Sequence, residues 1–377
     1  MTPSVRLIFA DSERSADMLY ATGLFVPDAF VFLREESGRS HAILSALEVD
    51  RARRVARVDQ VHEWSALRRR FFPDEGADVG EERILAALLH EWGNPRVEVP
   101  EDFPLGLARK LEGLQCEVVP VEGAFWPQRA IKRDDEVAAV VEALRITGQG
   151  IQAGIERIRQ SRIGEDGFLW VDDHHLTSEE VRAEIHAALV REGAAPHHTI
   201  VAGGAQGADP HEEGRGPLPA RWPIIIDCFP RLEKNGYWGD MTRTVCRGAP
   251  PERLTRAWEA VRQAQEVAFA AIREGIDGAT VHAAVASHLE QAGFPTETDA
   301  AGRQTGFFHG TGHGLGLEIH EAPRINRLGK ALQAGQVVTV EPGLYYPDMG
   351  GVRLEDVVLV TPTGCRNLTE FPKFLEI

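Results

Sequence analysis

Residues 222–246 read WPIIIDCFPRLEKNGYWGDMTRTVC. Two runs rich in β-branched residues, WPIIIDCF (222–229) and YWGDMTRTVC (237–246), have the composition of strands. Between them lies PRLEKNG, read as the hairpin loop between two antiparallel strands. Asp227 ends the apolar run IIID, and Asp240 opens the return strand. An unpaired carboxylate buried at the end of an apolar strand must be neutralised or compensated. Two of them on one hairpin point to a shared partner of opposite charge.

Three further side chains downstream fit the same pattern. His313 lies in HGTGHGLGLEIHE (309–321), Glu341 ends VVTVE (337–341), and Glu355 sits in GVRLED (351–356). Any one of these has a bland explanation: a turn-forming aspartate, a loop histidine, or a surface pair of Glu355 with Arg353. Five acidic or imidazole groups in one order, on or beside expected strands, are hard to attribute to five independent accidents. Four carboxylates and one imidazole form a hard, oxygen-dominated donor set that suits two divalent ions such as Mn²⁺, Fe²⁺, Co²⁺ or Zn²⁺. Two dications nearly balance four carboxylates.

Around this core the chain repeats a pattern. Asp134 onward carries Val137, Val140, Val141, Leu144, Ile151, Ile155 and Ile158 on one helical face, with Gly148 and Gly150 as weak points. A second helix starts at Thr177, with Glu180 completing a capping box, and stops at Gly193. HTIVAG (198–203) and the two runs above follow as strands. Then a helix opens at Pro251-Glu252 and another near Thr280, and QVVTVEPGLYY (336–346) and GVRLEDVVLV (351–360) follow. Two helices then strands, twice over, imply two similar halves packed together. Before them VRLIFA (5–10), AFVFLRE (29–35) and SHAILSA (40–46) read as strands, with helices over Glu13–Tyr20 and Glu82–Trp92, a small α/β unit with no ligand-spaced cluster. The turn-prone EGAFWPQRAIKRDDE (122–136) sets the expected boundary, giving domains 1–124 and 125–377. The expected fold class is therefore α/β (α+β).

Composition narrows the function. Lys+Arg 41 against Asp+Glu 57 leaves a net charge of −16, which argues against nucleic acid or an anionic membrane as partner. Cys116, Cys228, Cys246 and Cys365 form no CxxC pair, so neither a disulfide framework nor a zinc ribbon is expected, and a reducing cytoplasm fits best. MTPSVRLIFADSERSAD has no sustained apolar run, so it reads as neither a secretory signal nor a membrane span. His174-His175 and His197-His198 read as solvated loop residues.

Taken together, PHEE around His211, DCFPRLEKNGYWGDMTRT, FFHGTGHGLGLEIHEAPRI, VEPGLYYPDMGGVRLEDVVLV and TPTGCRNLT resemble the pita-bread metallopeptidases of the creatinase, aminopeptidase P and prolidase type, with Xaa-Pro dipeptidases most alike. The resemblance runs from about IKRDDE to the C-terminus. SADMLYATGLF carries a weaker likeness to the smaller creatinase-type domain that precedes it. The resemblance implies a pita-bread domain with two pseudo-twofold halves around an antiparallel sheet. It implies two divalent metals, Mn²⁺ foremost, held by Asp227, Asp240, His313, Glu341 and Glu355, with Asp240 and Glu355 bridging and hydroxide between the ions as nucleophile. Glu341 would also move a proton. His211 and His320 would be catalytic, and His309, Arg324 and Arg353 would bind substrate, Arg324 through a terminal carboxylate. It further implies a homodimer acting on small peptides. The expected activity is hydrolysis of Xaa-Pro bonds. The alternatives are an aminopeptidase P-like enzyme on longer peptides, a creatinase-like C–N hydrolase, and a non-catalytic peptide-binding module. Methionine aminopeptidase fits less well, since those enzymes usually lack the leading α/β domain. One departure stands out: the segment between the two aspartates is longer than usual, and Phe229-Pro230 replaces a customary glycine.

Overall fold

The computed structural model describes residues 4–75, 78–93, 95–298, 300 and 302–377. The chain divides into two compact units, Met1–Arg129 and Ala130–Ile377.

In the first unit the strands Gln60–Glu63, Ser40–Leu44, Phe30–Glu35, Ser4–Ala10, Arg96–Val99 and Val118–Pro120 form, in that order, one mixed sheet. Period-two alternation gives each face its own core. Leu7, Val31, Leu33 and Ile43 pack with Leu85, Leu88 and Leu89 of the helix Glu81–Glu91. Ile8, Phe30, Phe32 and Leu44 pack on the other side with Met18, Phe125 and Trp126. The last two place residues just past 124 inside the core of this unit.

The second unit begins with a long helix, α1 (Asp134–Arg159), whose first turn carries Asp134, Asp135 and Glu136 against the positive end of its dipole. Helix α2 (Ser178–Arg191) starts from the expected capping box. Thr177 Oγ1 accepts from the Glu180 N–H at 3.3 Å, and Glu180 Oε2 accepts from the Thr177 N–H at 3.0 Å. The pair covers a three-stranded antiparallel sheet of β1 (Ile200–Gly203), β2 (Ile224–Cys228) and β3 (Met241–Val245), with β2 in the centre. Ile224, Ile226 and Cys228 of β2, with Met241 and Val245 of β3, point into the core beneath these helices.

The motif then recurs. Helices α3 (Glu252–Ala271) and α4 (Gly278–Gln291) cover a five-stranded sheet. Its strands are β4 (Gly312–Gly314), β5 (Glu321–Ile325), β6 (Val337–Val340), β9 (Asp356–Val360) and β10 (Cys365–Asn367), in the order β5-β4-β6-β9-β10. A hairpin of β7 (Gly343–Tyr346) and β8 (Gly350–Arg353) lies between β6 and β9 in the chain. The Glu355 N–H donates to the Thr242 carbonyl at 3.1 Å, and the Arg353 N–H to Thr244 Oγ1 at 2.9 Å. These bonds join the halves along β3. No helix among the described residues is long and apolar enough to cross a membrane.

Two local expectations change. His174-His175 form a short strand rather than a loop, their rings bonded to Glu180 and Asp166, and His174 is exposed as expected. His197 packs against Trp238 with ring centroids 4.7 Å apart; only His198 of that pair is exposed.

Candidate metal centre

Each acidic residue sits where its strand forces it toward the junction of the two halves. Asp227 lies on the opposite face of β2 from Ile226, level with Ile200 on β1 and Thr242 on β3. Asp240 immediately precedes β3. Glu341 follows β6, and Glu355 precedes β9. His313 is the middle residue of β4, squeezed between β5 and β6. Glycine on both sides makes that possible: a Cβ on Gly312 would lie 1.9 Å from the Thr339 carbonyl oxygen, and one on Gly314 would lie 2.2 Å from that of Ala322.

Asp240, His313 and Glu355 bring ligand atoms within 4.8 Å of one another. Glu341 Oε1 lies 3.3 Å from His313 Nε2, and Asp240 Oδ2 lies 3.7 Å from it. Asp227 joins from the side, with Oδ2 held by Arg353 Nη2 at 2.6 Å and Oδ1 buried without a hydrogen-bond partner among the described residues. Asp240 and Glu355 are 5% and 2% exposed. Burial, then the charges of Asp227 and Glu341, holds the Asp240 carboxyl well above its ordinary range. Glu355 is raised in the same way, by burial and then by Asp240, and burial pushes Glu341 up to about 7.

The imidazole exposes the same deficit. His313 Nδ1 lies 3.2 Å from the Gly314 carbonyl oxygen, so that nitrogen carries the proton. Burial, then His320, lowers its pKa to about 3, so the ring is neutral. Nε2 therefore presents a lone pair to carboxylate oxygens. Acceptors facing acceptors in a buried site need a cation between them. Four carboxylates with one guanidinium, an orphaned Asp227 oxygen and an outward lone pair together fit divalent metal.

A cavity of about 770 Å³ opens over this cluster and is lined by all the sequence-predicted site residues. His211 is exposed at its edge. His320 stacks edge-on against His313 with ring centroids 4.3 Å apart. The Arg324 side chain is exposed on β5 and makes no hydrogen bond or ion pair with a described residue. His309 and Arg353 are more constrained. Arg353, 4% exposed, donates to Asp227, to Tyr345 Oη at 2.8 Å and to Thr242 Oγ1 at 3.3 Å; none of these bonds reaches Glu355. His309 Nδ1 donates to the Gly310 carbonyl at 2.8 Å, and Nε2 accepts from Tyr345 Oη at 3.0 Å. Burial, then the Arg353 charge, lowers the His309 pKa to about 3. Asp227, Arg353, Tyr345 and His309 thus form one chain of hydrogen bonds. Tyr345 and Thr242, which tie this network and Glu355 together, were missed by sequence reasoning. Tyr345 carries no ligand spacing, and only the pairing of β7 with β8 places it beside Arg353.

Two mirrored helix-and-sheet halves that pool acidic ligands over an open cavity define a pita-bread hydrolase. The metallopeptidase family M24 profile matches residues 138–362, and the chain belongs to that family. It is 31% identical over 257 residues to an Xaa-Pro dipeptidase from Pyrococcus furiosus, covering 67% of each chain. The structure resembles an Xaa-Pro dipeptidase from Bacillus anthracis (TM-score 0.82, 25% identity, covering 100% of this chain and 95% of that one). It also resembles an X-Pro aminopeptidase from Thermotoga maritima (TM-score 0.83, 22% identity, covering 100% and 98%), a likeness of fold. The protein is a metallopeptidase with the pita-bread fold, as its motifs imply.

Proposed function

We propose that this peptidase hydrolyses the Xaa-Pro bond of dipeptides, using two divalent ions, Mn²⁺ foremost, held by Asp227, Asp240, His313, Glu341 and Glu355. Asp240 and Glu355 would each help to hold both ions. Two bound ions would supply a nucleophilic water at neutral pH and polarise the scissile carbonyl. The chain's own groups do the rest. Arg353 holds Asp227 in place and offsets part of the acidic charge. Glu341, beside His313 at the cavity, would carry a proton to the departing nitrogen. His211 and His320, on the cavity wall, steady the substrate carbonyl and the oxyanion that develops there. His309, its ring fixed by Tyr345, presents an imidazole edge to substrate. A bond to proline suits such a site because its tertiary amide offers no N–H to grip. The first unit is read as a creatinase-type domain that mediates a cytoplasmic homodimer.

The observation that carries the dipeptide reading is Arg324, whose exposed guanidinium lines the cavity and bonds no described residue. A planar guanidinium grips a carboxylate through two bonds. A carboxylate two residues from the N-terminus exists only in a dipeptide. The contact is expected to contribute about 1.5–3 kcal/mol, or roughly ten- to a hundredfold in kcat/KM. A Xaa-Pro dipeptide should therefore be cleaved faster than its C-terminal amide, and Arg324→Ala should erase most of the difference. Arg324→Lys should restore only part of it. Equal rates on acid and amide in the wild type would move the assignment to an aminopeptidase P-like enzyme.

A further inference from the structure

Helix α3 packs a face of small and aliphatic side chains, Leu254, Ala257, Val261, Ala264 and Ala268, into the core that holds Val340 and Leu354. Gln265 is the polar exception among its buried residues, with 0% exposure. Its Nε2 donates to the Val340 carbonyl at 2.8 Å and to the Leu354 carbonyl at 3.3 Å. Glu341 and Glu355 follow these residues directly. One amide therefore grips the peptide group in front of each of two candidate ligands. The N–H of each of those peptide groups is also held. The Glu341 N–H donates to the Thr311 carbonyl at 2.8 Å, and the Glu355 N–H to the Thr242 carbonyl at 3.1 Å. A peptide group is planar, so a bond at each end fixes its orientation and sets where the next Cα stands.

The sheet itself gives out at this point. Pairing of β6 with β9 runs from Val337 and Leu359 to Val340 and Asp356, where it ends. Beyond it Pro342 has no N–H to offer, and the Leu354 N–H reaches the Pro342 carbonyl only at 3.4 Å. Gln265 spans the two segments where the ladder no longer sets their separation. The other end of the amide shows what this costs. Gln265 Oε1 is buried without a hydrogen-bond partner among the described residues. Turning the amide over would set that oxygen against two carbonyl oxygens, so the orientation is forced. A buried acceptor left unbonded is unfavourable, and an apolar side chain of the same size would serve packing without it. We propose that Gln265 is a positioning residue for the metal centre. It fixes the separation of Glu341 and Glu355 in advance of metal and so raises affinity for the ions. The assignment rests on the reading of those two carboxylates as ligands.

The test is equilibrium dialysis of the full chain against Mn²⁺ alone, in the wild type, Gln265→Met and Gln265→Glu. Thermal unfolding of each protein, with and without the ion, runs in parallel. Methionine keeps the volume and has no donor. A glutamic acid kept neutral by burial has one O–H and can serve one carbonyl, not two. Mn²⁺ affinity should fall about 10- to 100-fold in Gln265→Met, the usual cost of losing a group that orients metal ligands. Gln265→Glu should lie between that variant and the wild type. The rise in Tm on adding Mn²⁺ should shrink in the same order. Wild-type affinity in both variants, with Tm lowered equally with and without Mn²⁺, would make Gln265 a purely structural residue. That result would overturn the clamp while leaving the metal centre in place. Gln265→Glu binding no better than Gln265→Met would overturn the role given to the two donated bonds. A wild type that binds no Mn²⁺ would overturn the ligand reading itself, and the clamp with it.

Discussion

At the scale of single residues, the centre is defined by what its groups lack. Asp240 and Glu355 are buried, no Lys or Arg among the described residues forms an ion pair with either carboxylate, and the hydrogen bonds of Arg353 go elsewhere. Removing either carboxylate should strip a shared ligand and leave too little negative charge for two dications. Asp240→Ala is expected to lose metal and activity together, read by metal analysis after dialysis. Two ions per chain with near-normal turnover in that variant would refute the assignment. His320 provides the contrast: it touches His313 rather than the cluster of carboxylates. His320→Ala should keep its metal while kcat falls about 10²–10³-fold, the usual cost of one oxyanion donor. Metal lost in proportion to activity would make His320 a ligand. The four acidic candidate ligands were legible in the sequence because each is a charge at or beside the end of an apolar strand, an arrangement that needs a reason, and His313 was legible only through its place in the same ordered set. Tyr345 was not, since a tyrosine in a strand is ordinary packing until the register shows what it faces.

At the scale of elements, Gly150 shows why propensity alone misleads. It weakens α1 on paper, yet a Cβ there would lie 2.8 Å from Leu189 Cδ2 on α2. The glycine permits the close approach of the two helices, so its cost in helix propensity is recovered in packing. The long connection from β2 to β3 was expected as a hairpin loop. It contains its own short strand, Arg231–Leu232, paired with Ala194–Ala195, which no turn signal announces. The faces of β3 divide the labour. Thr242 and Thr244 turn to the centre, and Arg243 turns away from it, 2% exposed, to meet Asp356 at 2.8 Å. Arg243 also donates to the carbonyls of Thr242, Glu355, Phe371 and Pro372, tying β3 to the segment that carries Glu355 and to the C-terminal residues. Arg243→Met should leave Asp356 short of its main partner and cost about 3–5 kcal/mol. Urea unfolding of the metal-loaded protein measures this. A loss below about 1 kcal/mol would mean that Lys373 and Asn367, which also reach Asp356, suffice alone.

At the scale of the whole molecule, every ligand of the centre lies within Ala130–Ile377, and the first unit has two cores of its own. Stability should therefore respond to metal in one unit and not in the other. A cation that binds the folded centre but not the unfolded chain stabilises by an amount set by its concentration over Kd, about 2.7 kcal/mol at a hundredfold excess. For a unit of this size each kcal/mol moves Tm by roughly 2–4 °C, so saturation is worth about 5–11 °C. The carboxylates make the effect larger in the direction of loss, because without metal their mutual repulsion opposes folding of the second unit. Scanning calorimetry of the full chain, with Mn²⁺ in excess and again after chelation and dialysis, should show one transition moving down by at least this much. The transition of the first unit should stay in place. Asp240→Ala should start at the lower temperature and be indifferent to chelator. If both transitions moved together, the units would be unfolding as one cooperative body, and the separation into two independent cores would fail as an energetic statement. If neither moved, the cluster of Asp227, Asp240, His313, Glu341 and Glu355 would not be holding metal at all, and the peptidase chemistry proposed for it would have no electrophile.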